Sequence, residues 1–141
     1  MPTSHGTILA LDVGGRRIGV AAANVMARIA HPLTTVENND DTATVLFKIA
    51  EDEGAVGLVV GLPRNLSGEE TEQTRTVQAF VDSLQQHTSI PVYWQDEAVT
   101  SKKAEAELIE RKKPYAKGDI DALAATYILE DFLQEHPEVC S

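Results

Sequence analysis

The chain has 141 residues, with 22 Asp plus Glu against 12 Lys plus Arg and a formal net charge of −10. At 43% hydrophobic residues it can bury a real core, but it is too short for a (β/α)₈ barrel or for a dinucleotide domain joined to a substrate domain, so residues 1–141 read as one domain. The acidic balance excludes broad coating of nucleic acid by positive charge and leaves room for a local basic surface. The one cysteine, Cys140, cannot form an internal disulfide, and the four scattered histidines rule out a zinc-finger type of cluster. With no basic-plus-apolar leader and no apolar run near ~18 residues, a cytoplasmic protein without membrane contact is expected.

Residues 1–6 read as a loose start. TILALD (7–12) is an apolar run that ends in an acid and meets Gly14-Gly15; RIGVAAAN (17–24) and ARIAHPLTTV (27–36) follow as two more extended segments. Three strands with short connections predict an antiparallel meander. Pro32 requires an edge strand or a bulge, where its missing N–H is harmless. Asp40-Asp41 can cap a helix to about Glu53, with Val45 and Ile49 inward and Gly54 as a stop. VGLVV (56–60) reads as a buried strand and Gly61–Gly68 as a loop. Ser67 and Glu70 fit a capping box for a helix over about 69–86, whose apolar stripe is Val77, Phe80, Val81 and Leu84. PVYWQ (91–95) is a further strand, Thr100 or Ser101 can cap a helix to about Arg111, and Ile120, Leu123, Ala124, Tyr127, Ile128 and Phe132 mark a last helix to about Gln134, with 135–141 as a loose end. The order β-β-β-α-β-α-β-α-α predicts an α/β fold: a five-stranded mixed sheet, three meander strands plus two parallel ones, flanked by helices.

The acids fall in a telling pattern. Asp12 ends the first strand, Asp96 and Glu97 end the last, and Asp119 and Asp121 open the final helix. Groups beyond the carboxyl ends of parallel strands share one sheet edge, so Asp12 and Glu97 can face one site with Asp121 alongside. Converging carboxylates repel and need a cation. Hard divalent ions take oxygen ligands, and two of them roughly 3.5–4 Å apart suit in-line phosphoryl displacement. Asp119 and Asp121 equally suit plain capping of a helix start. Asp12 does not share that second reading, because an acid completing an apolar strand before a glycine turn is costly for stability alone. In VVGLPRNLSGEETEQT (59–74), Arg64 and Asn65 lie in a loop before a helix start, where a phosphate can bind; shaping a turn explains the glycines and proline equally well.

Four segments together, LALDVGGRRIGVA (9–21), VVGLPRNLSGEETEQT (59–74), QDEAVTSKKAE (95–105) and KGDIDALAATYILEDFL (117–133), resemble the YqgF family, described as Holliday-junction-resolvase-like and as pre-16S ribosomal RNA nucleases. The resemblance implies an RNase H-like fold and a Mg²⁺- or Mn²⁺-dependent nuclease, with two ions held by Asp12, Glu97 and Asp121 and a water attacking the scissile phosphorus. It implies that Arg16, Arg64, Lys102 and Lys103 contact phosphates. Pre-ribosomal RNA is the favoured substrate and branched DNA the alternative. Gly14, Gly15 and Arg16 match the family's first motif. Ala98 stands where its third motif carries arginine, so the contact of that arginine is missing here, while the metal-binding acids are kept.

Six of the 12 basic residues (Lys102, Lys103, Arg111, Lys112, Lys113, Lys117) crowd between positions 102 and 117. Lys113 and Lys117 there suit phosphate positioning, although a solvated helix face would look similar. Two further readings stand beside the nuclease: a non-catalytic RNA-binding ribosome-assembly factor on the same fold, and an actin-like phosphotransferase, which would need a second domain. A monomer or weak homodimer is expected.

Overall fold

Alternation along the strands sets two apolar faces, and each face is covered by helices. The computed structural model describes residues 6–63, 72–86, 88, 90–97 and 117–136; for Pro63, Gln73, Asp96, Glu97 and residues 117–119 it describes the backbone course alone. Strands β1 (Thr7–Val13), β2 (Arg17–Asn24), β3 (His31–Glu37), β4 (Ala55–Pro63) and β5 (Val92–Glu97) form one sheet in the order β3-β2-β1-β4-β5. The β1–β2 and β2–β3 pairs are antiparallel, while β1–β4 and β4–β5 are parallel. This is the expected mixed sheet of a three-strand meander and two parallel strands. The helices are α1 (Thr42–Glu53), α2 (Glu72–Gln85) and α3 (Lys117–Glu135). The predicted helix over about 100–111 and the capping pair Ser67 and Glu70 lie outside the described residues. No described helix is long and apolar enough to cross a membrane.

On one face Leu9, Leu11 and Val13 pack with Leu46 and Ala50 of α1 and with Val77, Val81 and Leu84 of α2. On the other, Ile8, Ala10, Ala21, Ala23 and Val59 pack against Ala125, Ile128, Leu129 and Phe132 of α3. Ala10, Ala21 and Ala23 leave room for α3, which lies directly on them. Phe132 is 1% exposed and its ring sits 5.3 Å from Tyr93 and 4.6 Å from His136. Phe132→Ala is therefore expected to cost about 3–5 kcal/mol of stability in urea denaturation.

Four local readings change. Gly61, Leu62 and Pro63, read as the start of a loop, continue β4 and pair with β5. The third strand starts at His31 rather than 27, because Asn24 Oδ1 accepts the N–H groups of Met26 and Ala27 at 2.8 and 3.2 Å and Arg28 takes φ 55°. That turn carries the Arg28 guanidinium to the Leu133 carbonyl at 2.5 Å, satisfying an orphan acceptor in the last turn of α3. In α1 the inward stripe is Thr42, Leu46 and Ala50, whereas Val45 is 40% exposed and Ile49 only half-buried. The buried Thr42 hydroxyl fixes this rotation by accepting the Asn39 N–H at 2.7 Å and facing the Glu37 carbonyl at 3.0 Å. Asp41 holds the N-cap position without a side-chain cap bond, and Gly54, at φ 65°, ends the helix as expected. Pro32 lies on the edge strand β3, beside a register shift in the β2–β3 ladder, so it is both at an edge and at a bulge.

Candidate active site

The site begins with a strand parity. Ile8 and Ala10 of β1 face α3, and Asp12, two residues further, is half-buried on the same side. Its partner across the β1–β2 ladder is Gly19. Directly paired residues bring their Cβ positions to about 4.5–5.5 Å, and Gly19 has no Cβ to offer. A Cβ built there would lie 1.9 Å from the Asp121 carbonyl oxygen and 2.8 Å from the Ala122 nitrogen. The backbone of α3 therefore uses the space that any other residue at position 19 would fill, and it arrives beside Asp12 with Asp121 at the contact.

Asp121 is the fifth residue of α3, because the helix starts at Lys117. It lies past the first turn, so the plain capping role open to it from sequence does not apply. Its Oδ2 accepts Arg17 Nε at 2.5 Å, and the two side chains are 22% and 36% exposed. Arg17 shares strand parity with Gly19, which places it on the α3 side.

Glu97 closes β5 and pairs in register with Pro63 at the end of β4. Because β4 lies between β1 and β5, the carboxyl ends of the three parallel strands run along one edge that ends in Val13, Pro63 and Glu97. Position 97 has the same parity as Tyr93, which packs in the α3 cluster, and as Gln95, whose Nε2 donates to Glu135 Oε2 at 2.5 Å. At that edge an open cleft of about 390 Å³ lies between Val13, Gly14 and Gly15 and the α2 residues Glu72, Thr76 and Val77. Arg16 is exposed on the turn beside it. The turn is held by Gly14 N–H donating to the Arg17 carbonyl at 2.9 Å and by Asn38 Nδ2 donating to the Gly14 carbonyl at 2.8 Å.

Of the other site residues expected from sequence, Arg64, Asn65, Lys102, Lys103 and Lys113 lie outside the described residues, and Lys117 opens α3. Among the described residues no group of three or more His, Cys, Asp or Glu is arranged to hold a metal ion. Asp12 pairs with Gly19 and the backbone of Asp121 closes on the same glycine, so the two acids lie on one face beside it; carboxylate oxygens are hard donors of the kind Mg²⁺ or Mn²⁺ prefers.

The family model described as "RuvX: Holliday junction resolvase" matches residues 6–135. The chain belongs to the RuvX family. This agrees with the resemblance to YqgF proteins carried by the four sequence segments. A RuvX relative from Chloroflexus aurantiacus, named "Putative pre-16S rRNA nuclease", is 42% identical over 130 residues, covering 89% of this chain and 85% of its own. A relative of the same name from Dechloromonas aromatica is 41% identical over 133 residues, covering 92% of this chain and 91% of its own. The fold is that of RuvC-like, RNase H-like nucleases. Thermus thermophilus RuvC, solved with a Holliday junction substrate, aligns over 92% of this chain and 95% of its own, with TM-score 0.56 and 15% identity. The Fowlpox virus resolvase aligns over 94% and 99%, with TM-score 0.50 and 11% identity.

Two residues of this RuvX chain carry the geometry without having been assigned a role from sequence. Gly19 had a readable signal, since a glycine inside an apolar strand marks the close approach of another backbone. Arg17 had none, because its partner lies 104 positions away.

Proposed function

We propose that this RuvX protein is a divalent-metal-dependent nuclease that cleaves phosphodiester bonds of structured RNA, with the 5′ end of pre-16S ribosomal RNA as its substrate. The observation that carries the proposal is the approach of the Asp121 backbone to Gly19, the ladder partner of Asp12, at the sheet edge where β5 ends in Glu97. The family membership and the names of the relatives supply the substrate class.

Asp12, Glu97 and Asp121 would hold Mg²⁺ or Mn²⁺, two ions once substrate is bound. Such ions supply activation of a water and stabilisation of charge on the phosphoryl oxygens. The chain's own residues bind and orient the strand. Arg16, exposed on the turn after Asp12, is placed to contact a phosphate. Arg64, Asn65, Lys102, Lys103, Lys113 and Lys117 extend that contact along the backbone, giving the phosphate-positioning interactions that hold register without reading sequence. The net charge of −10 then works against loose binding, so productive encounters concentrate where basic residues and metal coincide.

The test uses the purified full chain with a pre-16S fragment carrying its 5′ extension and, in parallel, a four-way DNA junction, each with Mg²⁺, Mn²⁺ or EDTA. Cleavage of the RNA with metal and none in EDTA is expected. Junction cleavage with the RNA left intact would move the substrate to branched DNA. Tight RNA binding that survives EDTA, with no cleavage at any metal level, would replace the enzyme with an RNA-binding assembly factor, the reading that Ala98 favours.

A further inference from the structure

The residue that binds Asp121 is itself held firmly. Arg17 opens β2, where it pairs in register with Glu37 of β3, and its carbonyl accepts the Gly14 N–H at 2.9 Å. Its backbone is therefore part of the turn that follows Asp12. From that fixed base its Nε reaches Asp121 Oδ2 at 2.5 Å. The pair is partly shielded from water, with side chains 36% and 22% exposed, and a charge-assisted contact of this length is stronger than an open surface pair.

We propose that Arg17 is the resident counter-cation of Asp121: it neutralises the carboxylate in the metal-free protein and yields it when a divalent ion binds. The inference rests on the reading of Asp121 as a metal-holding residue. Its physical basis is competition. A divalent ion drawing on the Asp121 carboxylate meets a guanidinium already seated on Oδ2, and the two cations repel at this distance. The apparent affinity for metal is therefore reduced by the fraction of Asp121 that remains in the competent, released state. In return the metal-free chain does not leave the Asp121 carboxylate uncompensated, and α3 stays pinned to β2 at the point where Gly19 lets it approach.

The opposite behaviour is equally well defined. An arginine that orients a carboxylate for a metal strengthens metal binding, and its removal weakens it, commonly by ~10-fold or more. The two roles predict shifts of opposite sign, so a binding measurement separates them without reference to cleavage.

The experiment measures Mn²⁺ binding to the full chain, from the electron paramagnetic resonance signal of free Mn²⁺, for the parent, Arg17→Gln, Arg17→Lys and Asp121→Asn. Thermal melts are run in EDTA and in saturating Mn²⁺. Arg17→Gln is expected to bind Mn²⁺ about two- to fivefold more tightly than the parent, to melt lower in EDTA, and to recover most of that difference in Mn²⁺. Arg17→Lys keeps the charge but loses the planar donor, so a smaller shift in the same direction is expected, and it carries the test if Arg17→Gln does not fold. Unchanged or weaker Mn²⁺ binding in both Arg17 variants would overturn the counter-cation role. If Asp121→Asn loses Mn²⁺ affinity while the Arg17 variants match the parent, only this inference fails. If Asp121→Asn binds Mn²⁺ as the parent does, the metal reading of Asp121 fails and this inference with it.

Discussion

Gly19→Ala is expected to destabilise the protein by about 3 kcal/mol, at the upper end of what overpacking costs, and to lower its melting temperature by roughly 10 °C. The added Cβ would fall 1.9 Å from the Asp121 carbonyl oxygen and 2.2 Å from its carbon. Both are backbone atoms of a helix, so no side-chain rotation relieves the overlap. Either α3 lifts away from β2, uncovering Ala21, Ala23 and their partners in the α3 cluster, or the strand bends where Asp12 is paired. Each response separates Asp121 from Asp12, so cleavage should fall even at temperatures where the variant is fully folded. Gly15→Ala is the control. A Cβ at Gly15 meets nothing within 4 Å, and its stability should stay within about 0.5 kcal/mol of the parent. Urea denaturation of the three proteins, in EDTA, measures both. Parent-like stability and cleavage in Gly19→Ala would mean that α3 does not rely on this approach.

Asp12→Asn has the largest expected effect on activity. The substitution removes a charge with almost no change of shape, so the half-buried position and the β1–β2 ladder are kept. On the proposed role of Asp12 in holding metal, its loss removes several kcal/mol of stabilisation of the phosphoryl transition state, which corresponds to a fall in cleavage rate of about 10³-fold or more. Stability in EDTA should stay within about 1 kcal/mol of the parent, because asparagine keeps the side chain's shape and most of its hydrogen-bonding capacity. The combination matters: an inactive variant that is also much less stable would point to a structural role for Asp12 instead. Steady-state cleavage and urea denaturation on the same preparation give both numbers.

Much of this arrangement was legible in the residues, and the reasons differ from element to element. The meander of β1, β2 and β3 was readable because the glycine turn and the Asn24 turn punctuate apolar runs. The placement of Pro32 followed from its missing N–H. The helix-covered faces followed from the element order, since crossovers between parallel strands lay helices on the sheet. Asp12 itself stood out because an acid has no structural reason to end such a strand.

What sequence could not supply was the contact across the chain. That Asp121 lies alongside Asp12 was expected, but how α3 docks to bring it there was not: the docking is set by a missing side chain at Gly19 over 100 positions earlier, which carries only a weak signal by itself. The ion pair between Arg17 and Asp121 joins residues 104 positions apart, beyond any spacing rule. The rotation of α1 was misread at Val45 because the sequence offers two adjacent apolar stripes, Val45–Ile49 and Leu46–Ala50, and the choice is made by the hydroxyl of Thr42 bonding to Asn39 and Glu37.

The central claim is that Asp12, Glu97 and Asp121 converge on divalent metal at the carboxyl edge of the sheet. The most direct measurement is an anomalous-difference map from crystals of the full chain soaked in Mn²⁺. The account predicts metal density with oxygens of Asp12 and Asp121 at roughly 2.0–2.2 Å, Glu97 among the ligands, and the Arg17 guanidinium moved off Asp121. Mn²⁺ density elsewhere on the molecule, with the Arg17–Asp121 pair intact and Asp12 without metal at concentrations that support cleavage, would contradict it.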